Sequence, residues 1–169
     1  MILEEIKERR SIRAYLPQTV ETEKLDRILE AARLAPTAKN LQDWKLLVVE
    51  DESARHQLVD AASPYQQFLK TAPILLVACA LNPNYVMRCG QAANPIDLAI
   101  VLDHVSLQAV KEGLGTCWIG SFYEGEAKRV LGIPEEVRII QLMSLGYFET
   151  QPPARPRKDA AQLFKKNRW

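Results

Sequence analysis

Three cysteines, two histidines and almost no excess of either charge are present in 169 residues, and each shortage removes a class of explanation. Cys79, Cys89 and Cys117 are odd in number and no pair has C-x-x-C spacing. That argues against a disulfide framework and a structural zinc, and suits a reducing compartment, expected to be the cytoplasm. His56 and His104 share no metal-ligand spacing with each other, with a cysteine or with a carboxylate, so no metal is expected. Lysine and arginine total 22 against 21 acidic residues, a net charge of +1. No global basic field draws in nucleic acid, which is not an expected partner. No apolar run approaches about 18 residues, so no membrane helix is expected. MILEEIKERR at the start has no apolar stretch of the kind a secretory leader needs. There is no G-x-S-x-G elbow and no Ser-His-Asp order. Asp97 and Asp103 lie six apart on one helical stretch, on different faces, and make no carboxylate pair. With no evident general base, the chemistry is expected to belong to a cofactor.

What remains is ordinary globular composition, 47% hydrophobic and 25% charged, at the length of one domain, expected to span 1–169. A short helix is expected around ILEEIKE. Leu25, Ile28, Leu29 and Ala32 recur at helical spacing over 22–35, ahead of Pro36. Residues 36–44, PTAKNLQDW, read as a polar loop. Strands are expected at 45–50, 73–81, 116–120 and 137–146, with 73–81 apolar throughout and therefore buried on both faces. Ser53 is a candidate cap for a helix over 54–62, and shorter helices are expected at 66–72 and 124–132. The stretch 96–112 is helical and apolar almost all round, as a central helix or an oligomer interface requires, and Gly113 and Gly115 end it. Residues 82–95 are loop-like. Strands interleaved with helices give an α/β or α+β domain. From about 150 onward the chain is a Pro- and Arg-rich tail ending in aromatic residues.

Three arginines and a serine, Arg9, Arg10, Ser11 and Arg13, crowd five positions in RRSIRAY. Guanidinium forks plus a hydroxyl suit a terminal phosphate. A solvated basic turn paired with Glu4, Glu5 and Glu8, or an RNA-binding patch, are the other two readings on charge alone. ARPRK at 154–158 is a second basic cluster, either a solvated tail or the far wall of one anion site. Asn40 and Gln42 carry amides that suit the edge of a heterocycle. In GLGTCWIGSF the glycines end a helix and precede a strand, the reverse of a Rossmann turn, so nicotinamide binding by that fingerprint is rejected. Gly120 and Ser121, just past the strand, can present backbone N–H groups to a ligand.

Taken in order, these segments resemble the nitroreductase family of FMN flavoproteins. RRSIRAY resembles its Arg-Arg/His-Ser-x-Arg/Lys phosphate motif and APTAKNLQDW its Pro-Ser-x-x-Asn-x-Gln-Pro-Trp loop. QQFLKTAP resembles Gln-x-Phe-Ile-x-x-Ala-Pro and GLGTCWIGSF resembles Gly-Leu-Gly-Thr-x-Trp-Ile-Gly. ARPRK with the closing NRW resembles the late basic motif and tail. The resemblance runs nearly end to end. It departs at Thr37, where Ser is usual, and at Asp43, where Pro is usual. It also departs in the shortness of 82–95, where longer members insert helices.

The resemblance implies an α+β fold with a central mixed, mostly antiparallel sheet flanked by helices. It implies a homodimer with FMN at the interface and a tail wrapping the partner subunit. Arg9, Arg10, Ser11 and Arg13 would hold the phosphate, with Arg155 and Arg157 closing from the tail. Pro36, Thr37, Asn40 and Gln66 would meet the isoalloxazine, and Ile119, Gly120 and Ser121 would lie near its N5. The implied activity is ping-pong hydride transfer from NADH or NADPH to a small nitroaromatic or quinone acceptor. A flavin carrier or sensor, or a reductive reaction such as dehalogenation, is the alternative within the same fold.

Overall fold

The computed structural model describes residues 1–169. Six helices and four strands follow one another as α1 (Glu4–Glu8), α2 (Thr22–Arg33), β1 (Trp44–Val49), α3 (Glu52–Ala62), β2 (Ile74–Ala80), α4 (Ala93–Lys111), β3 (Gly115–Ile119), α5 (Glu124–Leu131), β4 (Arg138–Gly146) and α6 (Ala160–Leu163). A short 3-10 helix spans Gln67–Thr71, and Ala38–Asn40 form a hydrogen-bonded turn with left-handed backbone at Lys39 and Asn40. All four expected strands are present within a residue or two.

The strands form one sheet in the order β1-β2-β4-β3, every pair antiparallel. One further parallel bridge, Ser11 to Thr116, sets the RRSIRAY segment along the outer edge of β3 and makes the sheet mixed. All seven residues of β2 are buried. Successive side chains of a strand point to opposite faces, so β2 feeds two cores. Leu76, Ala78 and Ala80 pack with Ile28 of α2 and Leu98, Leu102 and Val105 of α4. Leu75, Val77 and Cys79 pack with Leu58 and Val59 of α3, Ala127 of α5, and Ile12. Helices therefore cover both faces of the sheet, which explains the uninterrupted apolar run.

Local chemistry corrects two expectations. The cap of α3 is Asp51, not Ser53: its Oδ1 accepts from Ala54 N at 2.8 Å, while Ser53 Oγ accepts from Gln57. A carboxylate at a helix N-terminus also meets the positive end of the helix dipole, so it wins over a hydroxyl two residues later. Gly113, with φ of 76°, follows α4 as expected, but Gly115 opens β3 rather than ending the helix.

The exit of β4 is stapled to α2 and α4. Lys24 donates to Tyr147 Oη at 2.7 Å and to the Glu112 carbonyl at 3.0 Å, and Tyr147 donates to Glu21 at 2.6 Å. Arg27 grips Glu112 with two bonds of 2.8 and 2.7 Å. That guanidinium is the main reason the Glu112 carboxyl is lowered to about 2. Beyond this staple the chain leaves the body. Residues 151–169 are exposed throughout, and one bond, from Gln151 Nε2 to the Glu8 carbonyl, ties their start back. No helix is long and apolar enough to cross a membrane.

Candidate functional site

The parallel bridge at Ser11 decides where the arginines point. Ile12 N donates to Thr116 O at 2.9 Å, and the Ile12 side chain is buried against the α3/α5 face of the sheet. Tyr15 is buried as well; its hydroxyl donates to Ile12 O at 3.0 Å and is paired with Ser144 Oγ at 2.7 Å, and burial raises its pKa well above the ordinary phenol range. With Ile12 anchored inward, its neighbours Ser11 and Arg13 turn away from the core, as the two-residue period of an extended segment requires. Beneath them lies Cys117, whose thiol is pushed up by burial, with Arg13 and a bond from Ser11 acting in the opposite sense.

Arg9, Arg10, Ser11 and Arg13 line a cleft of about 380 Å³, and its other wall is the tail segment bearing Arg155 and Arg157. The two basic clusters, far apart in sequence, are brought together. None of these five guanidinium groups is in an ion pair: Glu4 pairs with Lys7 and Glu5 with Lys111. The basic turn is therefore not neutralised by the glutamates of α1. The arginines are not equivalent. Arg10 Nη1 donates to the carbonyls of Lys7 and Arg9, so it closes the end of α1, and its Nε is buried without a partner. Arg13 makes one long bond of 3.4 Å to Ser11 O, and Arg157 bonds the Arg155 carbonyl. Five like charges around one cavity repel one another, and an anion with several acceptor oxygens relieves that repulsion through charge-assisted bonds.

A second group of expected site residues stands at the C-terminal end of β3, the edge strand along which the RRSIRAY segment runs. Gln66 N donates to Ser63 O at 2.9 Å, and Ser63 Oγ reaches the Ser121 carbonyl at 3.5 Å, so Gln66 and the Ile119–Gly120–Ser121 turn are neighbours. Gln66 Oε1 is buried and unpartnered. A buried amide oxygen without a donor is costly, and a ligand N–H is the kind of partner it lacks.

The third group does not join them. Pro36, Thr37 and Asn40 lie in the loop between α2 and β1, the edge strand farthest from β3. Three inter-strand steps of about 4.8 Å separate the two edges, and helices cover both faces in between. The loop is unusual: Lys39, Asn40 and Gln42 all have left-handed backbones, with φ of 52°, 54° and 56°. Such conformations cost non-glycine residues about 1–3 kcal/mol apiece and gather where function over-determines them. Thr37 Oγ1 accepts from Gln42 N at 3.1 Å, Gln42 Nε2 donates to Asn40 O at 3.1 Å, and Ala38 N donates to Asp97 Oδ1 at 3.0 Å. The Asn40 side chain is exposed. Asp43 accepts from Asn82 at 3.3 Å, which ties the end of the loop to the end of β2. Asp97 carried no signal in the sequence, because its partner is a backbone amide 59 residues away.

A family model described as Nitroreductase family matches residues 6–64 and 62–147. A protein of Archaeoglobus fulgidus, provisionally named NADH dehydrogenase/NAD(P)H nitroreductase, is 32% identical over 151 residues, covering 82% of this chain and 80% of its own. The crystal structure of a nitroreductase family protein from Clostridium novyi NT superposes with a TM-score of 0.81 at 34% identity, covering 86% and 84% of the two chains. An FMN-dependent nitroreductase from Clostridium difficile R20291 superposes with a TM-score of 0.83 at 30% identity, covering 96% and 98%.

Proposed function

The chain belongs to the nitroreductase family, and from that premise we propose that it is an FMN-dependent NAD(P)H oxidoreductase acting as a homodimer. The observation that carries the reading is the cleft of five unpaired arginines, built from both ends of the chain around a space that suits a dianion. The residues fit FMN. Arg9, Ser11, Arg13, Arg155 and Arg157 bind the phosphate, with Arg10 closing α1 behind them. Gln66 supplies an unpaired acceptor to the pyrimidine edge, and the Ile119–Gly120–Ser121 turn lies against the ring.

The division of the remaining residues between two sheet edges supports a dimer with shared sites. Pro36, Thr37 and Asn40 cannot reach the arginine cleft of their own chain past helices that cover the sheet. They serve the site of the partner subunit. The outer face of α4 supports the pairing: Ile96 is 42% exposed and Ile100 and Leu107 are half-buried, on a helix whose other face fills the core. So does the tail, whose Leu163, Phe164 and Trp169 are exposed in the single chain. Aromatic anchors of this kind carry much of the energy of an interface. Residues 1–169 form one domain, with about 150–169 as the wrapping tail. The three unpaired cysteines suit the reducing cytoplasm.

FMN, when bound, supplies the chemistry: a hydride accepted from NADH or NADPH and passed to a small oxidised acceptor such as a nitroaromatic or a quinone. The protein orients and stabilises. Its arginines fix the phosphate end, so the ring is placed before either substrate arrives. The exposed side-chain amide of the partner's Asn40 would offer an N–H donor to the ring's polar edge, where it would favour negative charge.

The experiment is spectroscopic. Protein loaded with FMN and washed is expected to keep the flavin absorption bands, and NADH or NADPH under argon is expected to bleach them, with a quinone restoring the colour. A folded protein that retains no flavin would overturn the reading. A flavin that stays oxidised with both donors would make the chain a carrier. Deleting residues 155–169 is expected to shift sedimentation from dimer toward monomer and to release the flavin; an unchanged holo-dimer would remove the tail from both roles.

A further inference from the structure

Residues 36–42 hold three left-handed residues in a row of four, none of them glycine. Most of the hydrogen bonds there are internal: Asn40 N to Thr37 O, Leu41 N to Ala38 O, Gln42 N to Thr37 Oγ1 and Gln42 Nε2 to Asn40 O. The one that leaves the loop for a distant element runs from Ala38 N to Asp97 Oδ1 at 3.0 Å, on the second turn of α4. The space beneath is nearly closed. A cavity of about 10 Å³, lined by Asp43, Trp44, Asn94 and Asp97 among others, separates the loop from the helix. Trp44 Nε1 is buried without a partner. Lys39 also stands over the Tyr85 ring at 5.3 Å, but the hydrogen bond that ties the loop backbone to α4 is the one from Ala38 N to the Asp97 carboxylate.

We propose that Asp97 is a positioning residue for flavin binding: by holding the Ala38 amide, it fixes the strained loop that presents Thr37 and Asn40 to the isoalloxazine of the partner subunit. The inference rests on the assignment of that loop to the flavin site. Asp97 touches no ligand and acts through the loop alone. A carboxylate accepting from a backbone N–H makes a charge-assisted bond, stronger than its neutral counterpart. An asparagine keeps an acceptor oxygen at the same reach and is expected to retain most of the hold, whereas alanine retains none.

The test compares the full-length dimer with Asp97→Ala and Asp97→Asn, in three measurements. Amide exchange by NMR on the flavin-free protein is expected to be slow at Ala38 in the parent and in Asp97→Asn, and at least about 10-fold faster in Asp97→Ala, as loss of a hydrogen bond to a charged group implies. FMN affinity is expected to fall about 10- to 100-fold in Asp97→Ala and to recover in Asp97→Asn. The visible circular dichroism of the residual bound flavin is expected to change shape only in Asp97→Ala. Competition by inorganic phosphate, which reports the arginine cleft, is expected to be equal in all three. Unchanged exchange at Ala38 in Asp97→Ala overturns the proposal whether or not flavin binds. So does a parallel loss of phosphate affinity and thermal midpoint, which would make Asp97 a general structural residue. If exchange responds as expected but the parent takes up no flavin, the assignment of the loop to flavin fails while the hold itself stands.

Discussion

Replacing Arg9 and Arg13 together by alanine is expected to lower the affinity for FMN by at least about 100-fold and to leave the thermal midpoint of the flavin-free protein unchanged or raised. Hydrogen bonds to charged groups contribute about 1.5–3 kcal/mol each, and every 1.4 kcal/mol is tenfold in binding. Neither guanidinium is in an ion pair, so their removal costs only the long bond from Arg13 to Ser11 O and relieves repulsion in the cleft. Arg10 behaves differently. Its Nη1 holds the carbonyls of Lys7 and Arg9, so Arg10→Ala is expected to loosen α1 and to weaken FMN binding less than either neighbour. Titration of FMN fluorescence against each variant, at two salt concentrations, measures both. Wild-type affinity in the double variant would take the phosphate out of this cleft.

Gly115→Ala is expected to destabilise the fold by about 1–3 kcal/mol and to weaken FMN binding with it. Gly115 and Gly146 face each other across β3 and β4. A Cβ at 115 would fall on the Ile12 side chain and within 2.8 Å of the Phe148 ring. A Cβ at 146 would fall on the Pro73 ring and within 3.1 Å of Tyr15. The glycine pair is thus a trough in which the RRSIRAY segment lies, with Ile12 as its anchor. A methyl group lifts Ile12, and Ser11 and Arg13 move with it. Gly125→Ala is the control: nothing lies within 4 Å of its Cβ, it sits within α5, and a gain of about 0.5–1 kcal/mol is expected. Thermal denaturation with parallel FMN titration separates the two. Equal stability of Gly115→Ala and its parent would mean that Ile12 does not occupy the trough.

The elements of this fold were readable because their causes are local. An apolar run bounded by prolines and asparagines marks β2, and three- and four-residue spacing marks α2. The order β1-β2-β4-β3 was not readable, because which strand lies beside which is fixed by the packing of α4 and α5 across the sheet rather than by any motif. In the site, the basic clusters at 9–13 and 155–157 were readable as charge, and their convergence followed from the family resemblance. The difference between Arg10 and its neighbours depends on which carbonyls end α1. The left-handed backbone at Lys39 and Gln42 had no signal either, since glycine, its usual mark, is absent there; Asn40 alone is of a residue type that favours it. Family motifs in linear order also conceal that Pro36, Thr37 and Asn40 stand at the opposite edge of the sheet from the arginines.

The cleft has walls from residues 9–13 and 155–157, nearly the whole chain apart. If a phosphate is gripped from both sides as proposed, it joins the two ends of the folded chain across the cleft. A ligand held only by the folded chain places no constraint on the open one; it stabilises by mass action, and the gain grows with the concentration of free ligand. On the proposed assignment the two ends of the folded chain would be tied non-covalently while the ligand is bound and free of each other when it is not. Unfolding from either end must first eject the ligand, and the concentration of free cofactor becomes a dial on how long the chain survives a protease that attacks its tail.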